Sequence, residues 1–422
     1  MLRLPIMLLA FTLLPTSLIL QPAAPVPTRS CALTPPLLTA SLLEKTRSKV
    51  ASKIPEPEPG ARYRAEQQPA RYYEGRNPVN AVALKRAMKD IGKRKLVVIT
   101  GSSSGLGLYC FEALLKKKSE DYYIIAAVRD PEKMDEAAEK CGISTKDYAA
   151  VELQLASLQS VKDFATDLKK SLPSGRGLDR LVCNAAVYLP TDPKPRFTDD
   201  GYEMSLGVNH LGHFLLVQLL LPQMERAKNA RCCIVGSVTG NKNTVAGSLV
   251  KPIADVGELE GLVAGPGQVM VDGSQKFDGA KAYKDAKALN MMTVLELHRR
   301  LHLKTGITFN SMYPGCIANT QLFREKRDWF RFFFFPTLMK AIGSYVSQAE
   351  AGQRLAQVID DPQTNKGGVY WSWNGNAKMM GVGNAGGSGG TIFENEFSGM
   401  INDERLAAMS YDYSMEAIKK FL

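Results

Sequence analysis

The sequence predicts an α/β fold, a mainly parallel sheet of about seven strands with helices on both faces. Three observations point to it. An apolar run, Lys95–Thr100, leads into a glycine-rich turn and a helix-like segment reaching Lys118. A second apolar run, Tyr122–Val128, follows. Two further strand-like runs, Ala150–Leu155 and Leu181–Ala186, flank an amphipathic stretch from Ser157 to Ser171. Short apolar runs separated by helical segments make buried parallel strands, because each crossover lays a helix on a face of the sheet.

In chain order, the N-terminus reads as an address. Arg3 precedes the apolar run Leu4–Leu20, which prolines interrupt and small residues follow. Residues 1–25 are signal-peptide-like, and residues 26–60, rich in Arg, Lys, Ser and Thr, are transit-peptide-like. Two such addresses in series resemble the presequence of plastid proteins in algae with complex plastids. A single membrane anchor or a plain secretory signal is the alternative, although the run is short and proline-broken for a span. Residues 61–93 are expected to form a linker or a surface arm. The net charge of +11 sits mostly here, since residues 1–93 carry 14 Lys/Arg against 6 Asp/Glu. The remainder is nearly balanced, so a nucleic-acid partner is not expected. The seven cysteines are odd in number and irregularly spaced, which suits neither a disulfide framework nor a zinc site.

The first strand and turn carry the first chemistry. Gly101, Ser102, Ser103, Ser104, Gly105, Leu106 and Gly107 stand between a strand and a helix. Glycines there permit a tight turn and close backbone approach to a pyrophosphate, and the helix supplies free N–H groups. The second strand ends at Arg129, with Lys133 one turn on. A dinucleotide fold that takes NAD usually has an acid at this point, whereas two cations suit a 2′-phosphate; NADPH is therefore the expected cofactor. Asp130, before Pro131, reads as a helix cap. Asn184, Ala185 and Ala186 place a small-residue turn at a strand's C-terminal edge, where ligands bind in doubly wound Rossmann-type sheets.

Far downstream stands Tyr283-x-x-x-Lys287. Four residues apart on a helix, the two side chains share a face. A cation beside a phenol favours the phenolate, so Tyr283 is a candidate acid and Lys287 its partner and a ribose contact.

As a set, Thr100-Gly-x-x-x-Gly-x-Gly107, Asn184-Ala185-Ala186, Asn209, Ser237 and Tyr283-x-x-x-Lys287 resemble the short-chain dehydrogenase/reductase superfamily over about residues 94–375. The resemblance implies a tetrad. Tyr283 is the acid, Lys287 lowers its pKa and holds ribose, Asn209 anchors a water chain behind Lys287, and Ser237 orients substrate. His210 and His213 are expected to be structural. Gln154, followed by Leu155, stands where such proteins commonly have an adenine-facing Asp. Ser237 and Tyr283 are separated by an insert, residues 241–278, whose apolar residues, Leu262 among them, are expected to roof a flat apolar substrate. The turn Tyr313-Pro314-Gly315-Cys316 is expected to set Pro314 and Gly315 against the nicotinamide, with Tyr313 and Cys316 on the substrate.

With Phe277–Lys287, Leu322–Glu325 and Gly367–Trp373, these features resemble the light-dependent protochlorophyllide oxidoreductases. That resemblance implies an NADPH-dependent reduction of the C17–C18 double bond in ring D of protochlorophyllide, driven by light that the bound pigment absorbs. Hydride would go to C17 and a proton, from Tyr283 or Cys316, to C18. The product, chlorophyllide, belongs to chlorophyll biosynthesis in the plastid. A dark NADPH-dependent carbonyl reductase of the retinol dehydrogenase type is the rival, and a non-catalytic pigment carrier or membrane scaffold the third reading. Residues 94–422 are expected to form one catalytic domain. The aromatic, cation-flanked stretch 321–345 is expected to meet the thylakoid lipid surface; a lid or a homo-oligomer contact is its alternative. Residues 374–400 read as a glycine-rich loop and 403–421 as a C-terminal helix.

Overall fold

The computed structural model describes residues 71–117, 121–317, 322, 329, 334–341, 343–375 and 386–422. The two address-like segments, most of the aromatic stretch and residues 376–385 lie outside the described residues.

Eight strands form one sheet: β1 (Lys95–Thr100), β2 (Tyr122–Val128), β3 (Tyr148–Glu152), β4 (Arg180–Cys183), β5 (Arg231–Val235), β6 (Thr308–Met312), β7 (Val369–Trp373) and β8 (Ile392–Asn395). Their order is β3-β2-β1-β4-β5-β6-β7-β8. All neighbours are parallel except β7 and β8, which pair antiparallel from Tyr370↔Asn395 to Trp373↔Ile392. Strand β8 is one more than the sequence suggests. It is four residues long and half-exposed, so it carries no apolar run. The order reverses between β1 and β4, and ligands bind at the C-terminal ends of strands flanking such a reversal.

Two hydrophobic layers clothe the sheet. One holds α1 (Pro78–Asp90), α4 (Leu158–Ser171), α5 (Gly212–Glu225), α8 (Gly279–Thr305), α11 (Gly399–Asn402) and α12 (Glu404–Ile418). The other holds α2 (Gly105–Leu115), α3 (Pro131–Lys140) and α10 (Gln348–Asp360). Short helices α6 (Val245–Leu249) and α7 (Glu260–Ala264) lie in the insert, and α9 (Phe335–Ala341) lies within the aromatic stretch.

Helix α1 falls in the stretch expected to be a linker or arm. Its start is capped, with Asn77 Oδ1 accepting from Val79 N at 3.0 Å and Pro78 in the first turn. Leu84 and Ala87 are fully buried in the main core. Asn80 acts as a short strand mimic: its Nδ2 donates to Glu152 O at 3.0 Å, and its Oδ1 accepts from Glu152 N at 2.9 Å. The free edge of β3 is thereby partly sealed.

A π-helical segment, Leu206–Leu211, precedes α5 and carries Asn209 and His210. The wide turn frees the Asn209 carbonyl, which accepts from His213 Nδ1 at 3.1 Å and Asn290 Nδ2 at 3.0 Å. His213 Nε2 then accepts from the Thr100 hydroxyl at 2.8 Å, tying α5 to the end of β1. Burial pushes the His213 pKa down to about 3. A neutral folded ring contributes stability that is present above pH 6.5 and is lost as pH falls towards 3, because only the unfolded chain takes up the proton there. The stability cost of His213→Asn, read from urea midpoints, should therefore shrink by about 2 kcal/mol between pH 7 and pH 5. A cost that does not change with pH would mean the ring is not held neutral.

Candidate active site

The turn after β1 is built for close approach. Gly101 and Gly105 take left-handed φ values of +68° and +56°. A β-carbon on Gly107 would lie 2.4 Å from Gly101 O and 2.6 Å from Asn184 Nδ2. Thr100 Oγ1 accepts from Asn184 N at 2.9 Å and Ala185 N at 3.0 Å, while Asn184 Nδ2 donates to Thr100 O at 2.9 Å and Gly101 O at 3.1 Å. Asn184 therefore frames the loop, with Ala185 and Ala186 half-buried beside it. Ser102 is buried, its hydroxyl on Met134 Sδ, whereas Ser103 and Leu106 line the half-exposed rim. Ser104 precedes α2 without a side-chain cap, which leaves that helix's first N–H groups for an anion. These features fit a dinucleotide pyrophosphate.

At the end of β2, Arg129 is exposed and has no ion-pair partner among the described residues. Lys133 instead meets Asp130 Oδ2 at 2.6 Å, and Asp130 caps α3. The two expected cations are thus unequal: Arg129 stands open and Lys133 is engaged. Gln154 Oε1 accepts from Ala156 N at 3.2 Å, so the oxygen expected to face adenine is used in its own turn. Leu155 is buried, packed beside Gly212.

Helix α8 begins at the Asp278 cap, whose Oδ1 accepts from Ala280 N and Lys281 N, both at 2.9 Å. One turn in, Tyr283 and Lys287 share its buried face, with Lys287 Nζ 5.9 Å from the Tyr283 ring centroid. The Ser237 hydroxyl bonds Thr239 Oγ1 at 2.9 Å and lies close enough to act on the Tyr283 phenol. The Tyr188 ring lies against Tyr283, centroids 4.9 Å apart. Burial holds the Tyr283 phenol well above its ordinary pKa, with Tyr188 adding to this and Ser237 opposing it. Lys287 Nζ is directed to Val235 O at 2.7 Å, and burial pushes its own pKa down to about 8. Asn209 is also differently engaged: Oδ1 accepts from Val187 N at 2.8 Å and Nδ2 donates to Val187 O at 3.0 Å. Its side chain clamps the strand end after Ala186.

Across the site, Tyr313 N donates to Trp371 O at 2.9 Å, and Cys316 bridges to Tyr345. Gly315 has φ +110°, and a β-carbon there would lie 2.3 Å from Val346 Cγ2. Burial alone pushes the Cys316 thiol up to about 12. Burial holds the Tyr313 phenol well above its ordinary pKa, with Cys316, Tyr370 and Tyr283 adding to this and Arg354 opposing it.

The insert is stitched to α8 on either side of Tyr283. Lys284 Nζ donates to Val250 O and Pro252 O, both at 2.6 Å, while Lys281 joins Asp272 at 2.9 Å and Asp285 at 2.5 Å. Leu262, expected against substrate, is 3% exposed and packs in the main core with Leu259 and Val271. An apolar residue on a five-residue helix gains more from that core than from an open roof.

Comparison with known proteins gives this geometry a context. The short chain dehydrogenase family model matches residues 95–249. The chain is 46% identical over 343 residues to the chloroplastic protochlorophyllide reductase of Chlamydomonas reinhardtii, covering 80% of this chain and 81% of that protein. It is 46% identical over 340 residues to protochlorophyllide reductase A of Oryza sativa subsp. japonica, covering 78% and 83%. The chain belongs to the protochlorophyllide reductase family. The protochlorophyllide reductase of Avena sativa, 46% identical, is covered over 99% of its length by 76% of this chain.

In this protochlorophyllide reductase family member, sequence reasoning missed Arg354. It is 4% exposed, donates to Pro314 O at 2.9 Å, Gly387 O at 2.8 Å and Gly389 O at 2.9 Å, and pairs with Glu350 at 2.7 Å. It clamps the turn before Cys316 to the glycine-rich loop. Its only sequence signal is a charge on the apolar face of α10. Thr100, the hub of the loop frame, was legible as a strand's last residue and the first of the glycine motif, but not as the acceptor for Asn184 and Ala185.

Proposed function

We propose that this protein catalyses the light-driven, NADPH-dependent reduction of the C17–C18 double bond of protochlorophyllide, giving chlorophyllide for chlorophyll biosynthesis. The observation that carries this is the 46% identity to a protochlorophyllide reductase over 80% of the chain. When bound, NADPH supplies the hydride for C17. The chain's residues bind, orient and protonate. The uncapped start of α2 and the glycine turn take the pyrophosphate, and Arg129 the 2′-phosphate. Tyr283 holds the proton for C18. The reason to prefer it over Cys316 is what each becomes afterwards: a Tyr283 phenolate keeps the Ser237 hydroxyl as a donor, whereas burial alone acts on a Cys316 thiolate. Cys316 and Tyr313 then shape the pigment pocket, and Asn209 and Arg354 hold its walls. The test is a spectrum. Protein, NADPH and protochlorophyllide are mixed in the dark, then illuminated, and the pigment band should move to that of chlorophyllide only after light. Conversion in the dark, or none in light, would overturn the assignment.

The protein's place is the plastid. Its finer position, peripheral on the thylakoid membrane, is part of the proposal, as is the complex algal plastid suggested by the two-part presequence. The aromatic stretch supports membrane contact. Trp329 is 57% and Phe334 46% exposed, their rings 5.9 Å apart, and Leu338 is 40% exposed on α9. Exposed aromatics beside cations suit a headgroup boundary. No helix among the described residues is long and apolar enough to cross a membrane. Replacing Phe332–Phe335 by Ser should release the protein from anionic liposomes and spare NADPH binding. Unchanged sedimentation would favour the lid or a homo-oligomer contact.

A further inference from the structure

The arm before α1 is held, through Asp199, against the turn that follows β3. The N–H groups of Tyr72 and Tyr73 donate to the two oxygens of Asp199, at 2.8 and 3.1 Å. Asp199 in turn donates its own N–H to Ala156 O at 2.9 Å, at the turn that follows β3. That turn adjoins the end of β2, since Leu153 N donates to Val128 O at 2.7 Å, and Arg129 is the next residue of β2's strand end. The arm is fixed on its other side as well. Tyr73 donates its hydroxyl to Asp163 at 2.9 Å, Arg76 meets Asp167 at 3.1 Å, and Asn77 Nδ2 donates to Glu152 at 2.6 Å. Tyr72 is half-buried, with its ring against the main core. Burial holds its phenol above the usual value, and Arg196, Asp199, Arg129 and Asp192 all act on it. At neutral pH it is a hydrogen-bond donor within electrostatic reach of Arg129.

We propose that Tyr72 is a further cofactor-binding residue, closing the adenosine 2′-phosphate end of the nucleotide site opposite Arg129 and strengthening the preference for NADPH over NADH. A 2′-phosphate offers three strong acceptor oxygens. Lys133 is engaged by Asp130, so Arg129 is the open cation at this corner. A phenol hydroxyl adds a second donor without bringing a further charge out of water. The arm's pinning by Asp199 makes that donor a fixed wall, because Asp199 is bound to the turn that follows β3, beside the end of β2 that carries Arg129. The inference rests on the reading of NADPH as cofactor.

The test uses the full chain and two probes, 2′,5′-ADP and 5′-AMP, titrated calorimetrically. Tyr72→Phe keeps the ring and its packing and removes only the hydroxyl. It should weaken 2′,5′-ADP roughly tenfold and leave 5′-AMP unchanged. Asp199→Asn, which loosens the arm, should act in the same direction, and Arg129→Ala should weaken 2′,5′-ADP at least as much. Wild-type affinity of Tyr72→Phe for 2′,5′-ADP, with Arg129→Ala weakened, would overturn the role of Tyr72 alone. Equal weakening of both probes by Tyr72→Phe would overturn it too, since a donor to the 2′-phosphate cannot act on 5′-AMP. If Arg129→Ala is also without effect, the NADPH assignment itself fails.

Discussion

Tyr283→Phe should bind NADPH and pigment as the parent does, respond to a flash, and then stall before the second bond to hydrogen forms. The expected loss in chlorophyllide turnover is about 10²–10⁴-fold, the range for removing a positioned acid. The structure gives reasons why binding should survive. The substitution keeps the ring, and with it the packing against Tyr188 at 4.9 Å. It leaves Ser237 with Thr239 Oγ1 as partner at 2.9 Å, so no polar group is orphaned. Flash illumination at low temperature, followed by stepwise warming, separates the two transfers. The variant should form the hydride-transferred pigment and fail to convert it. Cys316→Ser should instead change the pigment's absorption and photochemical yield while the later step proceeds. A normal proton step in Tyr283→Phe, with the stall appearing in Cys316→Ser, would assign the proton to the thiol.

Lys287→Met should separate activity from stability. Lys287 is 2% exposed, and burial lowers its pKa to about 8. Holding the cation there at neutral pH costs about 3 kcal/mol by the size of that shift. Methionine has similar length, no charge and a flexible stem, so it fills the space and removes the cost. The loss is one hydrogen bond, leaving Val235 O without the donor it has at 2.7 Å. The two effects largely offset, and the thermal midpoint should stay level or rise. Turnover should nevertheless fall by about a hundredfold or more, because the phenolate left by Tyr283 loses its nearby cation. Melting curves and illuminated turnover on the same preparation check both halves. A large drop in midpoint would show that the ammonium is a structural strut rather than a functional charge.

How much of this was legible in the sequence depended on how each element is stabilised. Strands β1 and β2 lie inside the sheet, so Leu96–Ile99 and Tyr122–Val128 had to be apolar throughout, and their bounds can be read directly. Strand β8 sits at an edge with one neighbour, and Ile392–Asn395 mixes apolar with polar residues in no telling order. Helix α1 did leave a signal, Asn77-Pro78 ahead of buried Leu84 and Ala87, but a charged surface around them masked it. In the site, helical spacing alone brings Tyr283 and Lys287 to one face. What spacing cannot give is which partner each side chain takes. Lys287 meets a carbonyl of β5, Asn209 the backbone of Val187, and Arg354 two loops at once. All three choices are set by packing across long stretches of chain.

The π-helical segment also has a consequence for how the protein comes into being. His210 Nδ1 meets Asn290 at 3.2 Å and its Nε2 meets Ser414 at 2.8 Å. Ser414 lies 204 residues downstream of His210, on α12. A polypeptide emerging N-terminus first can pair β1 with β2 early, since these strands are close in sequence. The segment that carries Asn209 must wait for α8 and then for α12 before its side chains are all held. A nascent chain would thus own the first strands of the sheet before it owns a finished catalytic wall.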